Sequence, residues 1–224
     1  MKGIYRCGKR FVESLSECKE LAELLIDVSR RVALSKLISY ILRHSPADAC
    51  IDLEKGGWVS VEELVKGIRE CWRNKERYQW VTPEHVMAVA TLDPKGRFEL
   101  RDGKIRAVYG HSKSISPERL PTYDEDRSAK ILYHGTASHL LKPILREGIR
   151  PGRRHYVHLT TDPSIASETG SRRGTPVVLE IDADCLRLKG YKILRASNVI
   201  YLVEYVPPDC IRRVMKNVLT NSQI

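Results

Sequence analysis

The residues of this chain best suited to chemistry are cations and imidazoles set close together. Arg43-His44 is one such pair, and Arg97 stands at the head of an alternating apolar run. Gly110-His111-Ser112 and His134-Gly135-Thr136 each set an imidazole beside a glycine, and Arg153-Arg154 leads into His155 and His158. All fall at the ends of expected elements, where scaffolds present functional groups. A guanidinium is a planar cation that can grip phosphate at two points, and an imidazole changes charge near neutral pH. Arginines outnumber candidate acids here, which favours holding phosphate over hydrolysing a peptide or glycoside. No acid–base carboxylate pair stands out, nor a Ser–His–Asp or Cys–His signature. No Gly-x-Gly-x-x-Gly follows a strand and no P-loop is present, so a Rossmann site and a P-loop NTPase are unsupported. Each cluster also has an ordinary reading. A strand-end histidine is commonly a satisfied polar residue, an arginine pair a solvated loop, and Arg43-His44 two cations complementing a helix C-terminus.

The elements that must position these residues are legible in part. Residues 17–27 read as helical, with Leu21, Leu24, Leu25 and Val28 at suitable spacing. Leu34, Leu37, Ile38, Ile41 and Leu42 form one apolar helix face. Arg43 falls roughly 180° from Leu34, opposite that face, with His44 near its margin and Ser45-Pro46 as the stop. Ser60 and Glu63 make a capping box for a helix packing through Val61, Leu64, Val65 and Ile68. Thr82 and Pro83 open another, with Val86, Val89 and Ala90 inward. Residues 97–100 and 104–108 then alternate about Asp102-Gly103, a hairpin. Three helices and a hairpin is the order of a winged-helix module, although fold alone does not establish function.

Residues 113–129 carry two prolines, three serines and a charge cluster, so a domain boundary is expected there. The expected organisation is an N-terminal extension over 1–31, a first lobe over 32–115, a linker over 116–128 and a mixed α/β lobe over 129–224. Strands are expected at 130–134, 156–160, 176–181 and 198–206, and helices over 138–147 and from Pro163 to near Gly170. The fold class is α+β in two lobes.

Charge points to a polyanionic partner. The chain has 224 residues and a net charge of +10, spread as 22 basic against 17 acidic residues over 1–120 and 16 against 11 over 121–224. An evenly basic surface attracts nucleic acid first, a solvated surface without a partner being the plain alternative. No apolar run approaches the roughly 18–20 residues that span a bilayer, and no apolar segment follows the basic start MKGIYRCGKRF. A cytoplasmic protein without membrane attachment is expected. Six cysteines, Cys7, Cys18, Cys50, Cys71, Cys185 and Cys210, form no zinc knuckle, which argues against structural zinc. They are expected to be mostly reduced and buried, with an occasional disulfide such as Cys7–Cys18 left open.

Four ordered segments resemble the RNA 2′-phosphotransferase (tRNA 2′-phosphotransferase) family. The first is Leu34-Ser-Lys-Leu-Ile-Ser-Tyr-Ile-Leu-Arg-His44 with Gly57-Trp-Val59. The second is Gly96-Arg-Phe-Glu-Leu100 with Ile105-Arg-Ala107 and Gly110-His-Ser112. The third is His134-Gly-Thr136, Gly148-Ile-Arg-Pro151, Arg154 and Val157-His-Leu159, and the last is Gly170, Arg172 to Gly174 and the run Pro176–Ile181. The resemblance covers about residues 32–210; each motif is weak alone and the ordered set is specific.

The resemblance implies a winged-helix lobe followed by an ADP-ribosyltransferase-like lobe. It implies NAD consumed as a co-substrate and an RNA with an internal 2′-phosphate, tRNA from splicing first among them. No metal is expected, because the sequence holds no ligand cluster and arginines can carry the charge, and a monomer is expected. The products would be 2′-hydroxyl RNA, ADP-ribose 1″,2″-cyclic phosphate and nicotinamide. The family's catalytic Arg, His, Arg and Arg fall on Arg43, His44, Arg97 and Arg154. His134, Gly135, Thr136 and His158 would belong to the NAD pocket, and Gly110, His111 and Ser112 would meet substrate. There are departures. Val108-Tyr109 replaces the usual Asn-Gln, Tyr156 replaces a histidine, and Gly152 replaces a methionine. Two other functions remain: ADP-ribosylation of nucleic-acid terminal phosphates, and a non-catalytic winged-helix nucleic-acid binder.

Overall fold

A computed structural model describes residues 2–216; residue 1 and residues 217–224, the tail of the expected second lobe, lie outside the described residues. The chain divides into two compact units, Met1–Thr122 and Tyr123–Ile224. The described residues make a mixed α/β protein with three sheets. Among the described residues no helix is long and apolar enough to cross a membrane.

The first unit begins with strands β1 (Ile4–Cys7), β2 (Arg10–Val12) and β3 (Ala22–Ile26), which form an antiparallel sheet in the order β2-β1-β3. This corrects the helix expected over residues 17–27. Leucines at helical spacing also suit a short strand, and here Leu21 is left 97% exposed while Ile4 and Ile26 enter the core. The helix starts only after Asp27, whose carboxylate accepts from the Arg30 amide.

That helix, α1 (Val28–Arg43), buries Leu34, Leu37, Ile38, Ile41 and Leu42 as its periodicity requires. Strand β4 (Val59–Ser60) leads into α2 (Val61–Glu70), whose capping box is formed by Ser60 and Glu63. Helix α3 (Pro83–Thr91) follows, N-capped by Thr82. The hairpin of β5 (Phe98–Arg101) and β6 (Lys104–Ala107) turns at Asp102-Gly103 and takes β4 on its other side, giving the order β4-β6-β5. One apolar core runs from Ile4 and Ile26 through all three helices to Ile105 and Ala107. Through Ile4 and Ile26 the segment expected to be an N-terminal extension joins this core. Arg31, 1% exposed, ties the N-terminal sheet down by donating to the Lys2 and Leu92 carbonyls and pairing with Glu13 at 2.6 Å.

In the second unit the strands are β7 (Asp124–Glu125), β8 (Ile131–Ala137), β9 (Val157–Thr160), β10 (Pro176–Asp182), β11 (Leu194–Arg195), β12 (Ile200–Val203) and β13 (Ile211–Lys216). They form one antiparallel sheet in the order β13-β10-β8-β9-β12-β11-β7. Helices α4 (Leu141–Glu147), α5 (Pro163–Ser171) and α6 (Ala183–Leu188) lie between them in sequence. The sheet is held at its middle by a single residue pair, Tyr133 with Thr160 between β8 and β9. On either side the pairing is continuous, seven residue pairs joining β10 to β8 and four joining β12 to β9. Past Tyr133 no further backbone pair joins β8 to β9 among the described residues, and α5 packs against β8.

All six cysteines are paired, as Cys7–Cys18, Cys50–Cys71 and Cys185–Cys210. This corrects the expectation of mostly reduced thiols. Partners 11, 21 and 25 residues apart carry no local signature, and only the fold brings their Cα atoms to within 5.5–5.9 Å.

Candidate active site

The sequence-derived site residues fall into two groups, one in each unit. In the first unit they gather at the C-terminus of α1. The segment after β6 returns across this end, and its backbone and hydroxyls serve the orphan carbonyls of the helix. The Ser112 amide donates to the Arg43 carbonyl at 2.9 Å, and the Ser114 hydroxyl donates to the His44 carbonyl at 3.1 Å. The same crossing brings Ser112 Oγ to 2.6 Å from His44 Nδ1, which fixes the imidazole.

Arg43 is buried at 8% exposure, although helical angle put it on the outer face. Helical periodicity describes only what a helix does with its own neighbours; here segment 108–112 supplies a second wall. The Arg43 guanidinium lies 4.8 Å over the Tyr109 ring, and a side chain on Gly110 would come within 3.3 Å of that guanidinium. Gly110 also has φ +92°, so both backbone and space call for glycine. Tyr109, the departure from the family pattern, thus replaces an amide with an aromatic platform under the arginine. Its hydroxyl donates to the Lys95 carbonyl at 2.7 Å, and burial keeps its pKa above the ordinary tyrosine value.

Arg97 enters the same neighbourhood from the head of β5. Its backbone amide and its Nε both donate to Asp93, at 2.6 Å and at 3.0–3.1 Å, and Nη2 donates to the same carboxylate. Asp93 is 1% exposed in its side chain and spends itself on Arg97. Sequence reasoning missed Asp93; its signal was an acid four residues before the arginine, across a turn marked by Pro94 and Gly96. The Arg97 carbonyl accepts from the Val108 amide at 2.8 Å, which seats Arg97 beside the segment that carries Tyr109. His111 is buried with its Nε2 3.9 Å from where a side chain on Gly57 would begin, so it packs inward beside that glycine.

In the second unit the group surrounds the point where the pairing of β8 with β9 ends. His134 Nδ1 donates to the His158 carbonyl at 3.0 Å, bridging the two strands just past their single pair. Burial pushes the His134 pKa below the ordinary histidine value, and Arg173 and Arg154 add repulsion against the protonated form. The ring is therefore neutral, with Nδ1 protonated and Nε2 an acceptor. Gly135 is required by contact: a Cβ there would sit 1.7 Å from the Ala166 carbonyl oxygen, so α5 can lie directly on β8 only over a glycine. Thr136 is buried at the same contact. Arg154 is exposed, and its Nη1 stands 3.4 Å from His158 Nδ1. A guanidinium only donates, so that nitrogen of His158 accepts. Tyr156, the second departure, sets its ring edge-on to Tyr123 at 6.2 Å.

A family model described as RNA 2′-phosphotransferase, Tpt1 / KptA family, matches residues 29–205. This chain belongs to the RNA 2′-phosphotransferase family. It is 49% identical over 216 residues to a probable RNA 2′-phosphotransferase of Hyperthermus butylicus, covering 94% of this chain and 92% of the relative. A similarly named protein of Pyrobaculum aerophilum is 42% identical over 217 residues, covering 96% and 97% of the two chains. One of Pyrococcus horikoshii is 46% identical over 186 residues, covering 83% of this chain and 99% of the relative. Both groups of candidate residues lie inside the span matched by the RNA 2′-phosphotransferase family model. The N-terminal strands β1 to β3 lie before it.

Proposed function

We propose that this RNA 2′-phosphotransferase uses NAD as a consumed substrate and removes an internal 2′-phosphate of the kind left at a tRNA splice junction. In this reading the first unit is a winged-helix RNA-handling lobe and the second an ADP-ribosyltransferase-like lobe that takes NAD. The observation that carries the reading is the assembly at the end of α1: the Arg43 guanidinium lies over the Tyr109 ring next to an imidazole oriented by Ser112, and the Arg97 carbonyl accepts from the amide of Val108, the residue before that tyrosine. The carboxylate beside Arg97, Asp93, is committed to that arginine.

That set suits a reaction whose nucleophile is already an anion. A phosphate oxygen of the RNA attacks C1″ of the nicotinamide-bearing ribose. The C–N bond breaks, and nicotinamide leaves with its electron pair. No proton has to be removed first, so no general-base carboxylate is needed. In the second step the ribose 2″-hydroxyl attacks phosphorus and the bond to the RNA 2′-oxygen breaks. The 2″-hydroxyl proton is lost, and the RNA 2′-oxygen gains one. Arg43 and Arg97 grip the phosphate and stabilise the extra charge that builds on it, His44 handles the proton, and Arg154 is the remaining cation of the set that the family resemblance implies. No metal is given a role. The neutral His134, with Nε2 as acceptor, fits a ribose hydroxyl donating to it, and Gly135, Thr136 and His158 belong to the same pocket. The products are 2′-hydroxyl RNA, ADP-ribose 1″,2″-cyclic phosphate and nicotinamide.

The test is a short RNA carrying one internal 2′-phosphate, incubated with the protein in the presence and absence of NAD. Phosphate loss should require NAD and release one nicotinamide per phosphate removed. Phosphate loss without NAD, or nicotinamide release that leaves the 2′-phosphate in place, would contradict the reading.

A further inference from the structure

The helix that ends in Arg43-His44 carries two more polar residues in line with the imidazole. Lys36, Tyr40 and His44 are four residues apart, so they form one stripe along α1. The Tyr40 and His44 ring centroids are 6.0 Å apart. Beside this stripe opens a groove of about 430 Å³, lined among others by Lys36, Leu37, Tyr40, Trp72, Arg73 and Tyr78. Its aromatic wall is fixed in place. The Tyr40 hydroxyl donates to Asp48 at 2.8 Å, and its ring stands edge-on to Trp72 at 5.6 Å. The Arg73 guanidinium lies 5.2 Å over Trp72. The Cys50–Cys71 disulfide joins the turn after α1 to the residue before Trp72, so the two walls are covalently linked. Lys36 and Arg73 are exposed, and Asp48 is the acid nearest the ring, anchored on its hydroxyl.

We propose that this groove is a track for single-stranded RNA. It binds the nucleotides flanking the one whose 2′-phosphate reacts, with a base against Tyr40 and backbone phosphates at Lys36 and Arg73. The inference rests on the placing of His44 at the reacting phosphate. An internal 2′-phosphate sits on a strand that must continue past the site. A groove beginning one helical turn from His44 and combining aromatic faces with two cations has the chemistry for such a strand. Aromatic rings accept any base, so the track reads length and single-strandedness rather than sequence.

The experiment compares wild type, Lys36→Ala/Arg73→Ala and Tyr40→Leu on two substrates: a dinucleotide with a 2′-phosphate at its linkage, and a ten-nucleotide RNA with the same group at its centre. With the longer RNA both variants should lose about tenfold in KM and in directly measured binding, with KM for NAD unchanged. The salt dependence of binding by the double variant should be shallower by about 1.4 in log–log slope, two single-strand phosphate contacts. With the dinucleotide all three proteins should match. Wild-type affinity of both variants for the longer RNA would overturn the proposal, as would equal losses on both substrates. Binding is read apart from turnover. A wild type that binds the longer RNA without turning it over contradicts the proposed function, while a tenfold binding loss in the variants still supports the track.

Discussion

If His44 handles the proton as proposed, it matters most where a hydroxyl must give one up, and in the proposed reaction only the second step begins with a hydroxyl. His44→Ala should therefore accumulate an RNA–phospho–ADP-ribose intermediate in rapid-quench time courses, whereas Arg97→Ala should slow its formation and its decay alike. Matched rates through both steps in His44→Ala would reduce the imidazole to a helix-end residue. Tyr109 lends itself to a second test. Replacing its ring by Tyr109→Leu removes the platform under Arg43, and kcat/KM for the RNA should fall about tenfold while KM for NAD holds. Unchanged kinetics would show that Arg43 needs no such support. His134 predicts a pH effect on stability. Its folded pKa lies below the unfolded value near 6.5, so under acid the unfolded chain takes up a proton that folded His134 declines. Stability should fall as pH drops below about 6.5, and His134→Gln should reduce that slope in urea melts at pH 7.5 and 5.5. The slope should not vanish, because burial also lowers the His85 pKa. An unchanged slope would contradict the assignment.

Elements whose reasons are local were legible in the residues. The capping box at Ser60, the Thr82-Pro83 start and the Asp102-Gly103 hairpin each follow from a few neighbouring side chains, and each stands where those residues put it. What escaped depends on distant partners. The strand Ala22–Ile26 exists because Ile4–Cys7 pairs with it, and Arg43 is buried because segment 108–112 crosses the helix end. The disulfides likewise join residues that only the fold brings together. Breaking Cys50–Cys71 by Cys50→Ser/Cys71→Ser should cost about 3 kcal/mol for a loop of its length, read by denaturant unfolding of the oxidised protein. A loss below about 1 kcal/mol would mean that this link adds little to the packing around it. Gly135→Ala is the sharper probe of the second unit. A methyl group there meets the Ala166 carbonyl, so α5 must move off β8, and a destabilisation of about 2–3 kcal/mol is expected with weaker use of NAD. A variant as stable and as active as wild type would show that β8 and α5 have slack.

At the scale of the whole molecule, a surplus of five cations in each half matches a polyanionic substrate handled by the entire chain rather than by a basic tail. Membership of the RNA 2′-phosphotransferase family agrees with that reading of charge. The candidate residues were legible as types and as motifs. Their supports, Asp93 under Arg97 and Tyr109 under Arg43, were not, because neither carries a motif of its own. The central claim concerns the fate of one phosphate. An RNA labelled with ³²P at its internal 2′-phosphate, incubated with the protein and NAD, should pass its label to ADP-ribose 1″,2″-cyclic phosphate and leave an unlabelled RNA with a free 2′-hydroxyl. Label retained on an ADP-ribosylated RNA, or released as inorganic phosphate, would contradict it.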